Sequence, residues 1–167
     1  MSEHICEEKI FKTVYTTHAQ AVRNFLYYKS GEMQLAEDIM QDAFFKMWEN
    51  CKKVSFEKAK SYVFTIANNL FLNSRRHEKV KLKFNAVPNN DKDIQDPQFI
   101  MEQDEFKLKL ENAISDLPED QRIVFLMNRI DKKKYREIAE ELEISIKTVE
   151  KRMHKALKSL RQLYKNI

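Results

Sequence analysis

The sequence predicts an all-α protein made of two small helical domains. Its 167 residues include one glycine and three prolines, too few turn-forming residues for an architecture of strands and tight turns. Pro88, Pro97 and Pro118 all lie in the middle of the chain, so both flanks are free of prolines. In each flank apolar residues recur at steps of three and four, the spacing of an amphipathic helix. We therefore expect one helical domain on each side of the proline-containing segment.

The N-terminal domain, residues 1–83, is predicted to contain three helices. The first covers about residues 7–28 and ends near Gly31, where a left-handed turn costs least. The second covers about residues 33–51, and the third follows Ser55, a residue type that often caps a helix, and continues to about residue 78. Apolar stripes on the second and third helices are expected to face the core: Ala36, Ile39, Met40, Ala43, Met47, Val63, Ile66, Ala67 and Leu70.

Charge divides the chain into three parts. Basic residues outnumber acidic ones by 14 to 10 in residues 1–83 and by 13 to 6 in residues 121–167, but residues 84–120 have 3 basic and 10 acidic residues. Residues 84–105 show no sustained apolar period, so we expect a flexible acidic linker that becomes helical towards its end. Two basic ends are typical of nucleic-acid contacts, although solvated lysine faces would give the same composition.

The C-terminal domain, residues 106–167, is predicted to contain two helices before its main motif. One covers about residues 106–115, and the next begins at Pro118 and ends near residue 130. Glu119 and Asp120 fall in its first turn, where negative charge suits the helix dipole.

Residues 134–161 are predicted to form a helix-turn-helix. Ile138, Ala139 and Leu142 share one face of its first helix, which residues 143–145 interrupt. Ser145 is placed to cap the second helix, in which four apolar residues at steps of three and four point inward: Val149, Met153, Ala156 and Leu160. Its other side is polar and cationic, which is the geometry that enters a DNA major groove. The alternative is an ordinary helical hairpin with a solvated lysine face.

No motif for catalysis, metal binding or a cofactor is present in the sequence. Cys6 and Cys51 are isolated and lack a CxxC spacing, so neither a metal site nor a disulfide framework is indicated. The four histidines are scattered, and there is no glycine-rich phosphate loop. The polar N-terminus does not have the pattern of a signal peptide, and every apolar run is too short to span a membrane. We expect a cytoplasmic protein without a cofactor.

Three blocks of this sequence resemble bacterial sigma factors of the sigma-70 family. Residues 36–50, AEDIMQDAFFKMWEN, resemble the polymerase-binding helix, and residues 58–79, KAKSYVFTIANNLFLNSRRHEK, resemble the next helix of the same domain. Residues 114–161, from ISDLPEDQRIVF to HKALKSLR, resemble the promoter-reading domain. The order of the blocks and the linker between them are similar to the small extracytoplasmic-function (ECF) class.

The resemblance implies that core RNA polymerase is a partner and that the polymerase performs the chemistry. It assigns residues 1–83 to sigma region 2, which would bind polymerase and recognise and melt the minus-10 element. The expected polymerase-binding residues lie outside the inward stripe of the second helix: Gln41, Asp42, Phe45, Trp48 and Glu49. Trp48 could instead be buried in its own domain. The linker would pass through the polymerase cleft, although a plain solvated tether would have the same composition.

The resemblance also assigns promoter DNA to both domains, as a duplex at the minus-35 element and as a melted strand at the minus-10 element. In the C-terminal region 4 the expected contacts are Lys147, Thr148, Glu150, Lys151, Arg152, His154 and Lys155. In region 2 they are Asn68, Asn69, Arg75 and Arg76, where amides can bond base edges and arginines can hold the strand. Either asparagine could instead satisfy buried backbone groups. An anti-sigma inhibitor is implied by the resemblance alone.

Two residues depart from the family pattern. Glu143 occupies a turn position that is often glycine, which is tolerable if the residue avoids a positive φ. Glu150 lies on the outer side of the second helix, where a carboxylate repels phosphate but can accept a bond from a cytosine amino group.

Two other functional classes remain open from the sequence. The first alternative is a stand-alone repressor or activator, because residues 144–153, ISIKTVEKRM, also resemble the helix-turn-helix of two-component response regulators. Those proteins carry an α/β receiver or sensor domain upstream, and residues 1–83 show no alternating strands. A helical adaptor or RNA-binding protein would use the lysines only for solvation or unspecific charge.

Overall fold

The computed structural model describes residues 4–74, 80–83 and 97–165, with the side chains of 97–103, 163 and 164 left aside. Arg75 and Arg76 therefore lie outside the described residues. Within these ranges the secondary structure is helical, which confirms the predicted fold class. The helices are α1 (Glu8–Ser30), α2 (Met33–Glu49), α3 (Ala59–Asn73), α4 (Pro97–Ser115), α5 (Glu119–Arg129), α6 (Tyr135–Leu142) and α7 (Ile146–Lys165).

Helices α1, α2 and α3 pack together as the N-terminal half. Gly31 ends α1 in the left-handed conformation, at φ 72°, and its N–H donates to the Tyr27 carbonyl oxygen over 2.7 Å. A Cβ on Gly31 would come within 2.8 Å of Val80 Cγ1, because residues 80–83 pass directly over this turn. Only glycine combines that φ with so close an approach.

The start of α3 differs from the sequence prediction. Two short 3₁₀ turns, Cys51–Lys53 and Phe56–Lys58, separate α2 from α3, so α3 begins at Ala59. The prediction that Ser55 caps this helix with its side chain was wrong: Ser55 precedes the second 3₁₀ turn and contributes its backbone carbonyl, which accepts from the Lys58 N–H. The Ser55 side chain makes no capping hydrogen bond.

The C-terminal half comprises α4 to α7. Helix α4 begins at Pro97 rather than at residue 106, within the segment that was expected to become helical. Pro118 directly precedes α5, and Glu119 and Asp120 lie in its first turn, as predicted. The proline supplies a preset φ of −51° just before the helix, where no hydrogen-bond donor is needed.

The helix-turn-helix is formed by α6 and α7. The Thr148 N–H donates to Ser145 Oγ over 3.1 Å, which confirms the predicted cap of α7. The predicted inward residues of α7 are all buried: Val149, Met153, Ala156 and Leu160. Glu143, however, adopts φ 55° and ψ 43°, so the condition under which a non-glycine residue is easily tolerated at this turn is not met. Its αL conformation lets the chain reverse after α6, and the Ile144 N–H reaches the Ala139 carbonyl oxygen at 3.0 Å.

The two halves pack against each other and share one continuous core. Helix α1 contacts α5, and α3 contacts α6. Arg122 of α5 is only 4% exposed, and its guanidinium is surrounded by backbone carbonyls of both halves. Nε donates to the Tyr28 oxygen (2.8 Å), Nη2 to the Lys29 oxygen (3.3 Å), and Nη1 to the Ser115 and Leu117 oxygens.

Cys6 and Cys51 form a disulfide, with their Cα atoms 5.0 Å apart. The sequence-based expectation of two unpaired cysteines was therefore wrong. The two residues are 45 positions apart, and only the packing of α1 against α2 brings them together. No spacing rule for local motifs could detect such a pair.

Candidate nucleic-acid and protein interfaces

The outer side of α7 is a cationic surface. Lys147, Lys151 and Lys155 are exposed along it, together with His154. Glu150 is exposed on the same helix and is the single acidic residue of α7. The Thr148 hydroxyl lies 2.8 Å from Ser145 Oγ, so it belongs to the cap at the start of the helix. Three lysines and a histidine on one helix form a surface that suits a phosphate backbone.

Arg152 points away from this surface. Its Nε lies 3.5 Å from Asp120 Oδ2 on α5, and its side chain is partly buried. Of the seven residues that the sequence assigned to the minus-35 contacts, Arg152 is thus the one that the fold directs into the protein. The ion pair holds α7 against the first turn of α5.

Asn68 and Asn69 lie on α3, on the wall of a cleft between the two halves. The cleft has a volume of about 400 Å³, and its opposite wall carries Glu119, Asp120 and Arg152 of the C-terminal half. Asn69 is exposed, whereas Asn68 is half-buried and its Oδ1 accepts a bond from Lys29 Nζ. The two amides that the sequence singled out for base contacts therefore face the other half of the molecule.

Lys29 is buried beside Asn68. Its ammonium lies 5.2 Å from the ring centre of Phe25 and 5.1 Å from that of Phe71. Burial lowers the pKa of Lys29, an effect that Glu119 partly opposes. The two rings and the Asn68 oxygen partly replace the water that the ammonium has lost. Nothing in the local sequence distinguishes this lysine from its exposed counterparts.

An exposed face of α2 carries the residues that were predicted to bind a protein partner. Gln41, Asp42 and Glu49 are exposed, Phe45 is 62% exposed and Trp48 is 39% exposed. Trp48 is thus partly exposed but not isolated, because its ring lies edge-on against the ring of Phe11 of α1, with 4.9 Å between the ring centres. Large apolar side chains that stay exposed beside polar ones are characteristic of protein interfaces.

Helix α1 extends this face, which the sequence reasoning missed. A shallow groove of about 340 Å³ lies between α1 and α2, lined by Glu8, Phe11, Tyr15, Phe44, Phe45 and Trp48. The Tyr15 and Phe44 rings meet at 4.9 Å. Phe11 and Tyr15 are four residues apart on α1, a helical spacing that could have indicated a shared face. We call the lining of this groove the aromatic face.

Asp131, in the turn between α5 and α6, binds two residues of α1. Its Oδ1 accepts from Asn24 Nδ2 over 2.9 Å and from the Tyr28 hydroxyl over 2.7 Å. Burial raises the pKa of Asp131 above its ordinary value, although both donors favour the charged form. Burial and the nearby carboxylate raise the pKa of Tyr28. The turn after α5 is thereby joined to the first helix by two part-buried hydrogen bonds.

Glu141 of α6 is a second buried acid between the halves. Lys60 of α3 places its Nζ 2.7 Å from Oε1, and Lys133 donates to Oε2. His18 of α1 lies in the same electrostatic environment, and burial, followed by Lys60, lowers its pKa. These residues were not singled out by the sequence, because each contact joins elements that are distant along the chain.

The described ranges contain no group of three or more His, Cys, Asp or Glu side chains arranged to hold a metal ion. In the same ranges, no helix has the length and apolar character needed to cross a membrane.

Two families match this chain in separate segments. Residues 14–80 match the family described as Sigma-70 region 2, and residues 107–160 match the family described as Sigma-70, region 4. The two segments correspond to the N-terminal and C-terminal halves of the fold.

The chain is also similar to characterised bacterial proteins. It is 26% identical over 150 residues to the ECF RNA polymerase sigma factor SigE of Mycolicibacterium smegmatis, covering 86% of this chain and 57% of that protein, so it spans little more than half of that relative's length. It is 23% identical over 160 residues to the ECF RNA polymerase sigma factor SigL of Mycobacterium tuberculosis, covering 93% of this chain and 89% of the relative.

Two solved structures share the fold. One is CnrH in complex with the cytosolic domain of CnrY, with a TM-score of 0.63, 17% identity, and coverage of 96% of this chain and 90% of that chain. The other is the sigma factor RpoE in complex with the anti-sigma factor NepR from Bartonella quintana, with a TM-score of 0.60, 24% identity, and coverage of 93% and 96%. At these identities the likeness concerns the fold.

Proposed function

This chain belongs to the ECF class of the sigma-70 family, and from that membership we infer that it is an RNA polymerase sigma factor. It binds core polymerase and directs it to promoter DNA for transcription initiation. The observation that carries this function is the ordered pair of matches, Sigma-70 region 2 at residues 14–80 and Sigma-70 region 4 at residues 107–160, each on its own helical half. A stand-alone regulator binds its DNA without polymerase, so a polymerase-binding region 2 is not expected in that class of protein.

We assign residues 1–83 to region 2, residues 84–105 to the linker and residues 106–167 to region 4. The described helices support this division, because residues 80–83, between α3 and α4, are not helical. Helix α4 begins at Pro97, so its N-terminal part lies within the assigned linker.

The minus-35 element is assigned to the exposed side of α7. The support is the row formed by Lys147, Lys151, His154 and Lys155, which no other described helix occludes. Glu150 lies in the same row and is the candidate for a cytosine contact. Arg152 acts on this surface indirectly, because its ion pair with Asp120 orients α7.

The minus-10 element is assigned to α3, with Asn68 and Asn69 as the base-contacting residues and Arg75 and Arg76 beyond the described end of the helix. In the structure, both asparagines face the C-terminal half across the cleft. The Asn68 oxygen already accepts a hydrogen bond from Lys29 Nζ. Asn69 is exposed in this cleft, whereas the Asn68 oxygen becomes available to a melted base only when Lys29 releases it.

Core polymerase is assigned to the aromatic face and its polar neighbours on α2. Phe45 is the most exposed of the large apolar side chains in the described residues, and Gln41, Asp42 and Glu49 surround it with polar groups. An aromatic residue that remains in water without a partner is stabilised when a partner helix covers it.

The polymerase performs the chemistry in this assignment, and the chain has no catalytic activity and no cofactor of its own. Its place of action is the cytoplasm, where the chromosome is. We also propose an anti-sigma protein as a partner. The support is the likeness of fold to RpoE, whose solved structure is a complex with the anti-sigma factor NepR, and to CnrH, whose solved structure is a complex with the cytosolic domain of CnrY.

The test is in vitro transcription with core polymerase on a sheared genomic library of the source organism, with and without this protein. The expected result is a set of protein-dependent RNA starts that share two spaced upstream motifs. If a competent polymerase is not stimulated, and the chain binds duplex DNA without binding polymerase, the function is that of a stand-alone regulator instead.

A further inference from the structure

We propose that Cys6 and Cys51 form a reversible thiol–disulfide site that reacts with small-molecule disulfides and controls how firmly the aromatic face is held. The effect on polymerase rests on the proposed function of that face. The site itself rests only on the contacts of the two cysteines.

The position of the pair at the ends of two helices supports this proposal. Cys6 lies two residues before α1 begins, and Cys51 lies two residues after α2 ends. Both side chains are half-buried, so a small reagent can reach them. Lys52 and Lys53 directly follow Cys51, and neighbouring lysines favour the reactive thiolate form of a cysteine.

The N-terminal segment depends on this bond for its position. Ile5 is fully buried, but the described backbone contacts of the segment are the single bond from the Ile5 N–H to the Val54 oxygen, at 3.3 Å, and the bridge between His4 and Ser55. A covalent cross-link over 45 positions restricts the unfolded chain strongly and keeps the segment in place. After reduction, the segment is held in place by the buried Ile5 side chain and the long hydrogen bond from Ile5 to Val54.

The same helix ends carry the aromatic face. Trp48 precedes Cys51 by three residues, and Phe11, which its ring contacts at 4.9 Å, is in the first turn of α1 after Cys6. Freeing Cys6 lets this first turn fray, since the start of α1 has no side-chain cap. Phe11 then leaves Trp48, and the groove between α1 and α2 loses one wall.

The chemistry balances as thiol–disulfide exchange. The Cys51 thiolate attacks a small-molecule disulfide, a new S–S bond forms, and one small thiolate leaves. The Cys6 thiolate then attacks the Cys51 sulfur, which closes the intramolecular bond and expels the second small thiolate. The two cysteines lose two electrons and two protons, and the small disulfide becomes two thiols. In the cytoplasm, the place of action proposed above, thiols are kept reduced, and a disulfide is typically redox-responsive rather than permanent.

The first experiment uses the full chain without polymerase. It is equilibrated in buffers of defined ratio of reduced to oxidised glutathione, and the free thiols are counted by alkylation and mass measurement. The fluorescence of Trp48, the single tryptophan, reports the Phe11 contact in the same samples. The expected result is that loss of both thiols and a change in Trp48 emission follow one titration curve. Thiols that stay free at every ratio, or emission that ignores the titration, would overturn the proposal.

The second experiment measures the affinity for core polymerase in the two redox states. Oxidised wild-type chain is expected to bind severalfold more tightly than reduced chain. Cys6→Ser and Cys51→Ser should match the reduced chain in every buffer, and the double variant controls for effects of the buffer on polymerase. Equal affinity in both states would overturn the coupling to polymerase. Absence of binding in both states would instead count against the proposed function, and the Trp48 titration would still decide the thiol–disulfide site.

Discussion

Arg122 Nε donates a 2.8 Å hydrogen bond to the carbonyl oxygen of Tyr28. This bond joins α5 of the C-terminal half to the end of α1 in the N-terminal half. The last carbonyls of a helix have no intrahelical partner and carry the negative end of its dipole. At the end of α1, the Arg122 guanidinium supplies both a hydrogen-bond donor and a positive charge. Its other nitrogens donate to the carbonyl oxygens of Lys29, Ser115 and Leu117. One buried cation therefore satisfies carbonyls from three segments of the chain.

Replacing Arg122 with methionine should strongly destabilise the protein. The apolar side chain fills similar space but leaves several buried carbonyls without a donor, so we expect the free energy of unfolding to fall by about 2–4 kcal/mol. Urea titration followed by circular dichroism measures the change. Arg129→Met is the matched control on the same helix, because Arg129 is exposed; a similar loss in both variants would contradict the role given to Arg122.

Replacing Glu143 with glycine should stabilise the protein. Glu143 is held at φ 55°, a conformation that costs a residue with a Cβ about 1–2 kcal/mol and glycine almost nothing. Glycine has more freedom in the unfolded chain, so the expected net gain is about 1 kcal/mol, or about 2–4 °C in Tm. Glu143→Ala keeps a Cβ and is the control: if it stabilises as much as glycine, the backbone conformation is not the cause.

Replacing Asp131 with asparagine should change how stability depends on pH. Burial raises the pKa of Asp131 above its usual 3.8, so the folded chain retains a proton over a range of pH where the unfolded chain has lost it. The wild-type protein is therefore stabilised as pH falls through that raised pKa towards 3.8, and loses this contribution as pH rises. Asparagine keeps an oxygen for Asn24 and Tyr28 but does not titrate.

Thermal unfolding of both proteins between pH 7 and pH 4 provides the comparison for Asp131. All other ionisable groups are the same in both proteins, so the informative quantity is the Tm of wild type minus that of Asp131→Asn. This difference should increase as pH falls. A difference that stays constant or decreases would show that the charge on Asp131 is not penalised in the fold.

Removing two lysines from α7 should reduce the salt dependence of DNA binding. Each lysine that neutralises a phosphate contributes about 0.9 to the slope of log affinity against log salt concentration, so Lys151→Ala with Lys155→Ala should lower the slope by about 2. Duplex binding measured by anisotropy at several salt concentrations tests this. Lys9→Ala with Lys12→Ala removes the same charge from an exposed part of α1 and should leave the slope nearly unchanged.

Truncating Phe45 should weaken the binding of core polymerase. If a polymerase helix covers this side chain, which is 62% exposed in the free chain, its loss should cost about 1–2 kcal/mol or more, at least about fivefold in affinity. Phe56→Ala is a matched control, because Phe56 is 48% exposed but lies outside the aromatic face, on the turn before α3. Duplex binding through α7 should be the same in both variants. Equal losses of polymerase affinity would remove Phe45 from the interface.

The helical elements and their inward faces were predictable because they depend on local spacing. The buried stripe of α7, the Ser145 cap and the start of α5 after Pro118 all depend on residues within a few positions of one another. The prediction for Ser55 failed, and the positive φ of Glu143 was not predicted, because both residues lie at turns where one backbone angle decides the outcome and several residue types are compatible with either value. The site residues on α2, α3 and α7 remain predictions, although the fold leaves the α2 set exposed and directs Arg152 inward.

By itself, the sequence determined an all-α chain of two basic halves with a region 2 and a region 4, because apolar period, charge and motif order are properties of neighbouring residues. The tertiary structure alone decided which distant groups meet. Asp131 meets Asn24 and Tyr28, Arg122 meets the end of α1, Lys60 meets Glu141, and Cys6 meets Cys51. Each pair is far apart along the chain, and a buried polar group finds its partner only when the packing of whole helices has removed the water that would otherwise bind it.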